Sequence, residues 1–391
     1  MNLVERQLSM RRWSEEERIV IEQVQRVAND VLAPNASRYD ETAEFPWPNV
    51  EALNALGMNA IFIPEMYGGA PMSYALYLEC VAIISAACAS TGIIYATNFH
   101  GMKPLIAFGN DEQRARLLPC IAEGGLGSLA ITEQHAGSDA TGMRTSFTPD
   151  GESVVINGSK NFITSGDVAD RLLLFGKWSE IDEPRKAITA LILEKGTPGF
   201  EVLGIEKKLG HCASSTAALA FDGARVPRAN VLGEPGQGLQ ILLESLNRSR
   251  PSIAAHALGI ARAAFADMVG YMNERSQSGK HIIEFQGNQF MLADLASELA
   301  MTEQWLSYVS ELAEPPNGHA GEFGMEASIA KMRASDLAMR MTTEAVQMHG
   351  GYGYCKDLRV ERLMRDAKIT QIWEGTNQVH RQLIGRSFRH K

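Results

Sequence analysis

Cysteine is scarce and cannot pair off. Cys80, Cys88, Cys120, Cys212 and Cys355 make an odd count of five, and no C-x-x-C occurs. A disulfide framework or a zinc knuckle is therefore not expected, and a reducing compartment, the cytoplasm, is. Positive charge is also short. The net charge is −9 and no dense Lys/Arg run appears, whereas a nucleic-acid binder presents a basic patch. The nine histidines show no metal-ligand spacing; His135, His211 and His349 read as individual polar contacts, and no metal is expected. A Walker A loop, H-E-x-x-H and G-x-S-x-G are all missing. G-G-Y-G-Y (350–354) follows a helical stretch rather than a strand, which excludes a dinucleotide fingerprint. The first thirteen residues, M-N-L-V-E-R-Q-L-S-M-R-R-W, hold no apolar run of signal-peptide length, so no targeting segment is expected.

One stretch lacks charge altogether, from Cys80 to Asn98. Spans of ~18 or more apolar residues suggest a membrane helix. This one holds Ser85, Ser90, Thr91, Gly92, Thr97 and Asn98 among small alanines, and reads instead as a tightly packed buried helix followed by a turn. With 45% hydrophobic and 21% charged residues over 391 positions, the composition is that of a soluble globular protein with room for two or three domains.

Three regions differ in period. From Trp13 to about Gly124 the pattern is helical. Ser14 with Glu17 forms a capping box, and Val20, Val24, Val27, Ala28 and Val31 form one stripe that Pro34 should end. Another helix is expected over Val50–Leu56. From about Ser128 to Leu232 the period is two. Asn157-Gly158 inside S-V-V-I-N-G-S-K-N-F-I-T predicts a hairpin, and further strands follow at 171–176, 187–194 and 216–222. After G-E-P-G-Q-G (233–238) long helical patterns cover Leu239–Glu274, Phe285–Leu312 and Met325–His349, the last closed by Gly350-Gly351. The fold class is multidomain α+β: an N-terminal all-α domain (1–124), a middle antiparallel β-domain (125–232) and a C-terminal helical bundle (233–391).

Two stretches could carry chemistry. Glu374 lies between Trp373 and Gly375, just before a helix that Thr376 can cap. An acid there is also favoured by the helix dipole, so these residues alone leave punctuation and catalysis both open. L-A-I-T-E-Q-H-A-G-S-D (129–139) is a loop rich in backbone N–H groups. It could cradle a diphosphate or a flavin edge, or it could be a solvated turn with an Asx-type cap.

Those stretches recur in a set. T-E-x-x-A-G-S-D, I-N-G-x-K-x-x-I-T, V-P-x-x-N-V-L-G, N-R-S-R-P (247–251), F-Q-G-N-Q-F-M-L-A-D (285–294) and R-D-A-K-I-T-Q-I-W-E-G-T (365–376) stand in order along the chain. From Glu15 to Phe388 the chain resembles the acyl-CoA dehydrogenase family. The resemblance implies a C-terminal four-helix bundle, a homotetramer, an FAD cofactor and an electron-transferring flavoprotein as partner. It implies that Glu374 removes the α-proton of an acyl-CoA thioester while the β-hydride passes to flavin N5. Leu129, Ile131, Thr132, Gly137, Ser138, Phe162, Ile163 and Thr164 would meet the flavin, with Ser138 also on the pantetheine. Arg275, Gln286, Gln347, Gly350 and Gly351 would complete the FAD site of a neighbouring subunit, and Thr376 and Gln378 would close over it. Asn247, Arg250 and Gly375 would lie near the substrate.

The chemistry fits these residue types. A weakly acidic α-proton needs a desolvated carboxylate and a polarised thioester carbonyl, and the Glu374 N–H would supply part of that polarisation. Some family members carry the base within N-R-S-R-P instead. The matching residue here is Ser249, which cannot do that work. Departures also stand out. Gln134-His135 replaces Pro-Gly, Ser278 replaces an aromatic, Trp373 replaces a tyrosine, and Phe162 stands where tryptophan is common. Trp373 and Tyr95 suggest a shortened acyl pocket. On the same fold, carrier-protein thioester dehydrogenases, oxidases and hydroxylases are alternatives, as is a non-catalytic flavoprotein scaffold; Glu374 speaks against the hydroxylase and the scaffold.

Overall fold

The computed structural model describes residues 13–314 and 323–388; most of the N-terminal stretch read above for a signal lies outside them. Its first helix, α1 (Glu15–Val27), opens on the expected capping box. Ser14 Oγ accepts from the Glu17 N–H at 3.1 Å, and the Glu17 carboxylate accepts from the Ser14 N–H at 3.0 Å. Ser14→Ala should lower stability by about 1 kcal/mol, read as a shifted denaturation midpoint.

Pro34 does not end this helix. The chain passes through a π-turn, Ala28–Leu32, into α2 (Ala33–Thr42). The Ala33 N–H reaches back five residues to Ala28 O, and this wider turn accommodates a proline ring that has no N–H to give. The short α3 spans Trp47–Ala55. The uncharged stretch is also not one helix. It divides at Cys88, which is extended, between α4 (Tyr74–Ala87) and α5 (Ala89–Phe108). A Cβ at Gly92 would meet Ser85 Oγ at 2.2 Å, so glycine is what lets the two helices pack so closely. Helix α6 (Asp111–Ala122) completes the first domain.

The middle domain is an eight-stranded sheet, ordered β6-β7-β3-β2-β4-β5-β8, with β1 also on β4. The strands are β1 (Gly127–Ala130), β2 (Ser146–Asp150), β3 (Ser153–Thr164), β4 (Arg171–Trp178), β5 (Ile188–Glu194), β6 (Phe200–Ile205), β7 (Thr216–Pro227) and β8 (Val231–Leu232). Pairing is antiparallel except along one edge of β4, where β1 and then β2 run parallel to it. The Asn157-Gly158 hairpin is not there: β3 runs straight through it. Gly158, at φ +141, marks a register shift against β7, and a Cβ would lie 2.7 Å from Thr145 Cα. The hairpin sits one turn earlier, at Gly151-Glu152, where Gly151 has φ +60 between the paired Asp150 and Ser153.

The period-two pattern sorts β4 between two cores. Leu172 and Leu174 join Phe147, Leu191 and Leu193 inside the sheet, while Leu173 and Phe175 join the helical core. That helical core runs without a break from the first domain into the third.

The C-terminal domain is built on α7 (Gly238–Glu274), α8 (Gln286–Ala313), α9 (Gly324–His349) and α10 (Val360–Thr370), followed by α11 (Asn377–Arg386). Among the described residues α7 is long and apolar enough to cross a membrane, but 67% of its apolar window is buried inside the protein. It is the central strut. Arg262 on α7 pairs with Glu79 of α4 at 2.7 Å and Glu303 of α8 at 2.6 Å, tying the first domain to the bundle.

Candidate active site

Glu374 lies on the short loop between α10 and α11. Thr376 Oγ1 caps α11 by accepting from the Val379 N–H at 3.2 Å, so the punctuation anticipated from the sequence is real, and Thr376 supplies it. Glu374 is doing something else. It adopts φ +52, with Gly375 at φ +93. The left-handed region costs a non-glycine residue about 1–3 kcal/mol and persists only where surroundings enforce it. A side chain at Gly375 would be strained by that φ and would touch His380 Nε2 at 3.2 Å, so the glycine is demanded by the backbone as well as by access.

The enforcement comes from α9. Lys331, fully buried, donates from Nζ to Gly375 O at 2.7 Å and to Asn377 Oδ1 at 3.1 Å. Asp336, one turn on, accepts from Gln371 at 2.7 Å, Asn377 at 2.8 Å and Arg381 at 2.6 Å. Sequence reasoning missed Lys331. The signal was present: its neighbours at helical spacing, Ala327, Ala334 and Ala338, are all buried, so a lysine stands on an apolar stripe.

The carboxylate itself is 17% exposed. Ser249 Oγ donates to Glu374 Oε2 at 2.5 Å, and His100 Nδ1 lies 4.0 Å from Oε1. The far nitrogen of His100 contacts Ser252 Oγ. Burial holds the His100 imidazole below its ordinary range although Glu374 pulls the other way. Arg250 is also buried, with Nη1 donating to Asn247 Oδ1 at 3.2 Å and Nε without a partner. Burial lowers its pKa against the pull of Glu374, and burial pushes Lys331 down to about 7 against the same pull. One acid thus stands among three buried basic side chains, itself largely shielded from solvent. The Glu374 N–H makes no hydrogen bond among the described residues.

Trp373 turns its indole toward histidines from two other segments. Its ring lies 5.2 Å from His211 and 5.6 Å from His256. His211 and His256 share a hydrogen bond at 2.8 Å, His256 Nδ1 meets Ser85 Oγ at 2.7 Å, and the His211 N–H donates to Asp366 at 2.5 Å. The polar-contact reading of His211 holds, with more partners than the sequence could indicate. His349 likewise bonds Ala345 O and stacks on Tyr271, and His135 lies 3.6 Å from Glu133. Tyr95 is buried, its hydroxyl donating to Met58 O at 3.3 Å.

The residues expected at a flavin fall into two groups. On the middle domain, Leu129, Ile131, Thr132 and Thr164 are half-buried around the end of β1, and Gly137 and Ser138 are exposed. Phe162 is 62% exposed at φ +60, where a bulge in β3 between Lys160 and Ile163 re-aims it outward. Ile163 departs from expectation. Its side chain is buried in the sheet core, because the bulge that frees Phe162 turns its neighbour inward; only its main chain stays available to a cofactor. An exposed aromatic held in a strained backbone beside two hydroxyls and open loop amides suits a planar, hydrogen-bonding cofactor such as FAD. The Asx-type cap is present too: Asp139 Oδ1 accepts from the Thr141 N–H at 3.1 Å. The second group, Arg275, Gln286, Gln347, Gly350 and Gly351, lies on the bundle and is entirely exposed, as is Gln378. Thr376 is half-buried.

Two motif residues prove to be scaffolding. Lys160 donates to Glu133 Oε1 at 2.8 Å and to Ile131 O at 2.9 Å, and Glu133 also accepts from Arg144 and Thr145. Burial raises Glu133, but Lys160 and these hydrogen bonds outweigh it and hold the carboxyl at about 2; burial draws Lys160 down to about 8. The pair stays ionised at neutral pH and fixes the loop that carries Ile131 and Thr132.

Comparison with known proteins agrees with this architecture. The N-terminal, middle and C-terminal domain patterns of the acyl-CoA dehydrogenases match residues 14–125, 128–224 and 236–388. An acyl-CoA dehydrogenase of Bacillus subtilis is 40% identical over 375 residues, spanning 95% of this chain and 98% of its own. A chain from a structure of the electron transferring flavoprotein of Acidaminococcus fermentans superimposes with TM-score 0.93 at 37% identity, covering 97% of this chain and 99% of that one. Butyryl-CoA dehydrogenase from Megasphaera elsdenii does so with TM-score 0.92 at 35% identity, covering 96% and 99%. The chain belongs to the acyl-CoA dehydrogenase family, FAD-dependent oxidoreductases acting on CH–CH groups.

Proposed function

We propose that the protein oxidises a short or medium saturated acyl-CoA to the trans-2-enoyl thioester, with Glu374 as the base. The observation that carries this reading is the conformation of Glu374: one left-handed residue offers both a sheltered carboxylate and an unpaired N–H. A thioester lying against it would meet the carboxylate at its α-carbon and the N–H at its carbonyl oxygen. Proton removal and carbonyl polarisation are the two tasks the reaction sets. Bound FAD supplies the two-electron acceptor that takes the β-hydride.

The chain's own residues divide the remaining work. Phe162, Leu129 and the Thr132 and Thr164 hydroxyls would hold the flavin, with Gly137 and Ser138 offering amides and a hydroxyl to its diphosphate. Arg275, Gln286, Gln347, Gly350 and Gly351 are all exposed, which suits a cofactor site completed from a neighbouring subunit of a homotetramer. Gln378 and Thr376 flank the base, and Asn247 and Arg250 stand on the substrate side. An electron-transferring flavoprotein is the expected acceptor, consistent with the similarity to a chain from such a structure.

The short-chain preference rests on Trp373 and Tyr95 and is consistent with the butyryl-CoA enzyme's likeness. Gently purified protein should be yellow, with stoichiometric FAD released on denaturation. Colourless protein that takes up no added FAD would end the reading. In a panel of acyl-CoA substrates with a dye acceptor, the short and medium chains should lead; a preference for palmitoyl-CoA would refute the inference from side-chain bulk.

A further inference from the structure

The carboxylate of Glu374 has one direct hydrogen-bond donor among the described residues, the Ser249 hydroxyl. Ser249 is fully buried on α7 and opens an unbroken run of buried residues from Ser249 to Ala261, so its Oγ is firmly held. That hydroxyl has a single hydrogen and two acceptors within reach, Glu374 Oε2 at 2.5 Å and Leu246 O at 3.3 Å. Resting on the assignment of Glu374 as the base, we propose that Ser249 is a positioning residue that aims Glu374, holding one carboxylate oxygen so that the other meets the substrate.

The physical argument is one of asymmetry. An O–H···O⁻ bond is roughly twice as strong as its neutral counterpart. Ser249 therefore favours the carboxylate over the acid, and once Glu374 has taken the α-proton the hydroxyl can turn to Leu246 O. Three basic side chains face the Glu374 carboxylate, His100 from α5, Arg250 from α7 and Lys331 from α9, while His380 of α11 lies against its backbone. Arg250 and Lys331 act on the whole residue through charge, while burial holds both imidazoles below their ordinary range. The hydroxyl alone acts on one chosen oxygen, and it fixes which oxygen is left free for the α-proton.

His100 does not substitute for it. At 4.0 Å its Nδ1 is beyond hydrogen-bond reach, and its other nitrogen is engaged by Ser252, which in turn donates to Ser249 O at 3.0 Å.

The test is the pH dependence of substrate-driven flavin reduction in the FAD-loaded enzyme. Ser249→Ala should move the acid limb upward by about one pH unit, roughly tenfold in rate on that limb. KM should change little, because Ser249 acts through Glu374 rather than on the thioester. Ser249→Cys, with a weaker donor of similar volume, should fall between, and it serves alone if the alanine variant does not fold. An acid limb superimposable on wild type, or a loss of rate carried by KM alone, overturns the proposal. Failure of the base assignment is separately visible: Glu374→Gln would then still reduce its flavin, and the proposal would fall with it.

Discussion

Glu374→Gln should keep FAD, still bind acyl-CoA, and reduce its flavin at least ~10²–10⁴-fold more slowly than wild type, the usual scale for a positioned general base. The amide keeps the shape of the side chain. Its amide oxygen can still accept from the Ser249 hydroxyl when turned toward it, and the residue 374 N–H is untouched. What disappears is the proton affinity. A residue serving only the helix dipole would behave otherwise: its loss costs about a few tenths of a kcal/mol and leaves turnover intact. Thr376, not Glu374, already caps α11, so little cap function is left for the acid. Anaerobic mixing of the Gln variant with substrate separates the outcomes. Rapid bleaching of the flavin would remove Glu374 from the chemistry and leave its left-handed backbone unexplained.

The three-domain order was legible because each region keeps one period over many residues, and period is set by which face is buried. Single-residue punctuation was less legible. Asn-Gly at 157–158 looks like a turn, but a glycine required for close approach to Thr145 gives the same dipeptide. Pro34 looks like a stop, but a π-turn ahead of it removes the clash. In the site, Glu374 was legible through its motif. The groups that act on it were not, because Ser249, His100 and Lys331 come from three helices that only tertiary packing brings together. Ser249 was read as a position emptied of its base. Its hydroxyl instead reaches the Glu374 carboxylate, a relation that depends on distance and has no spacing in the chain. Ile163 shows the opposite error, since its place beside Phe162 in a motif could not indicate that a bulge sends the two side chains to opposite sides of β3.

Lys331→Met should slow flavin reduction by about 10²-fold while FAD remains bound, the scale expected when a reacting group is misplaced by roughly an ångström. Among the described residues Lys331 is the one tether between α9 and the carbonyl that follows Glu374. Methionine fills the same space without a donor. Gly375 O then loses its partner, and Asn377 Oδ1 keeps only Ser335. An orphaned buried acceptor costs about 1–3 kcal/mol, and relief of the lysine's own burial offsets part of that. The loop can recover most of the remainder by relaxing Glu374 out of its left-handed conformation. Stability should therefore change less than rate. The pH dependence gives an independent check. Burial holds Lys331 at about 7 in the folded chain against an ordinary 10.5, so between those values the unfolded chain carries a proton the folded chain has released. Stability from this group consequently rises with pH across that window, and protonation below it works against the fold. The Met variant should lose that rise in denaturation midpoints measured across the window. A variant with wild-type reduction kinetics and an unchanged pH profile would show that α9 does not hold Glu374 in place. Loss of the rise together with the fall in rate would place the strain of Glu374 and the burial of Lys331 in one device, each enforced by the same carbonyl.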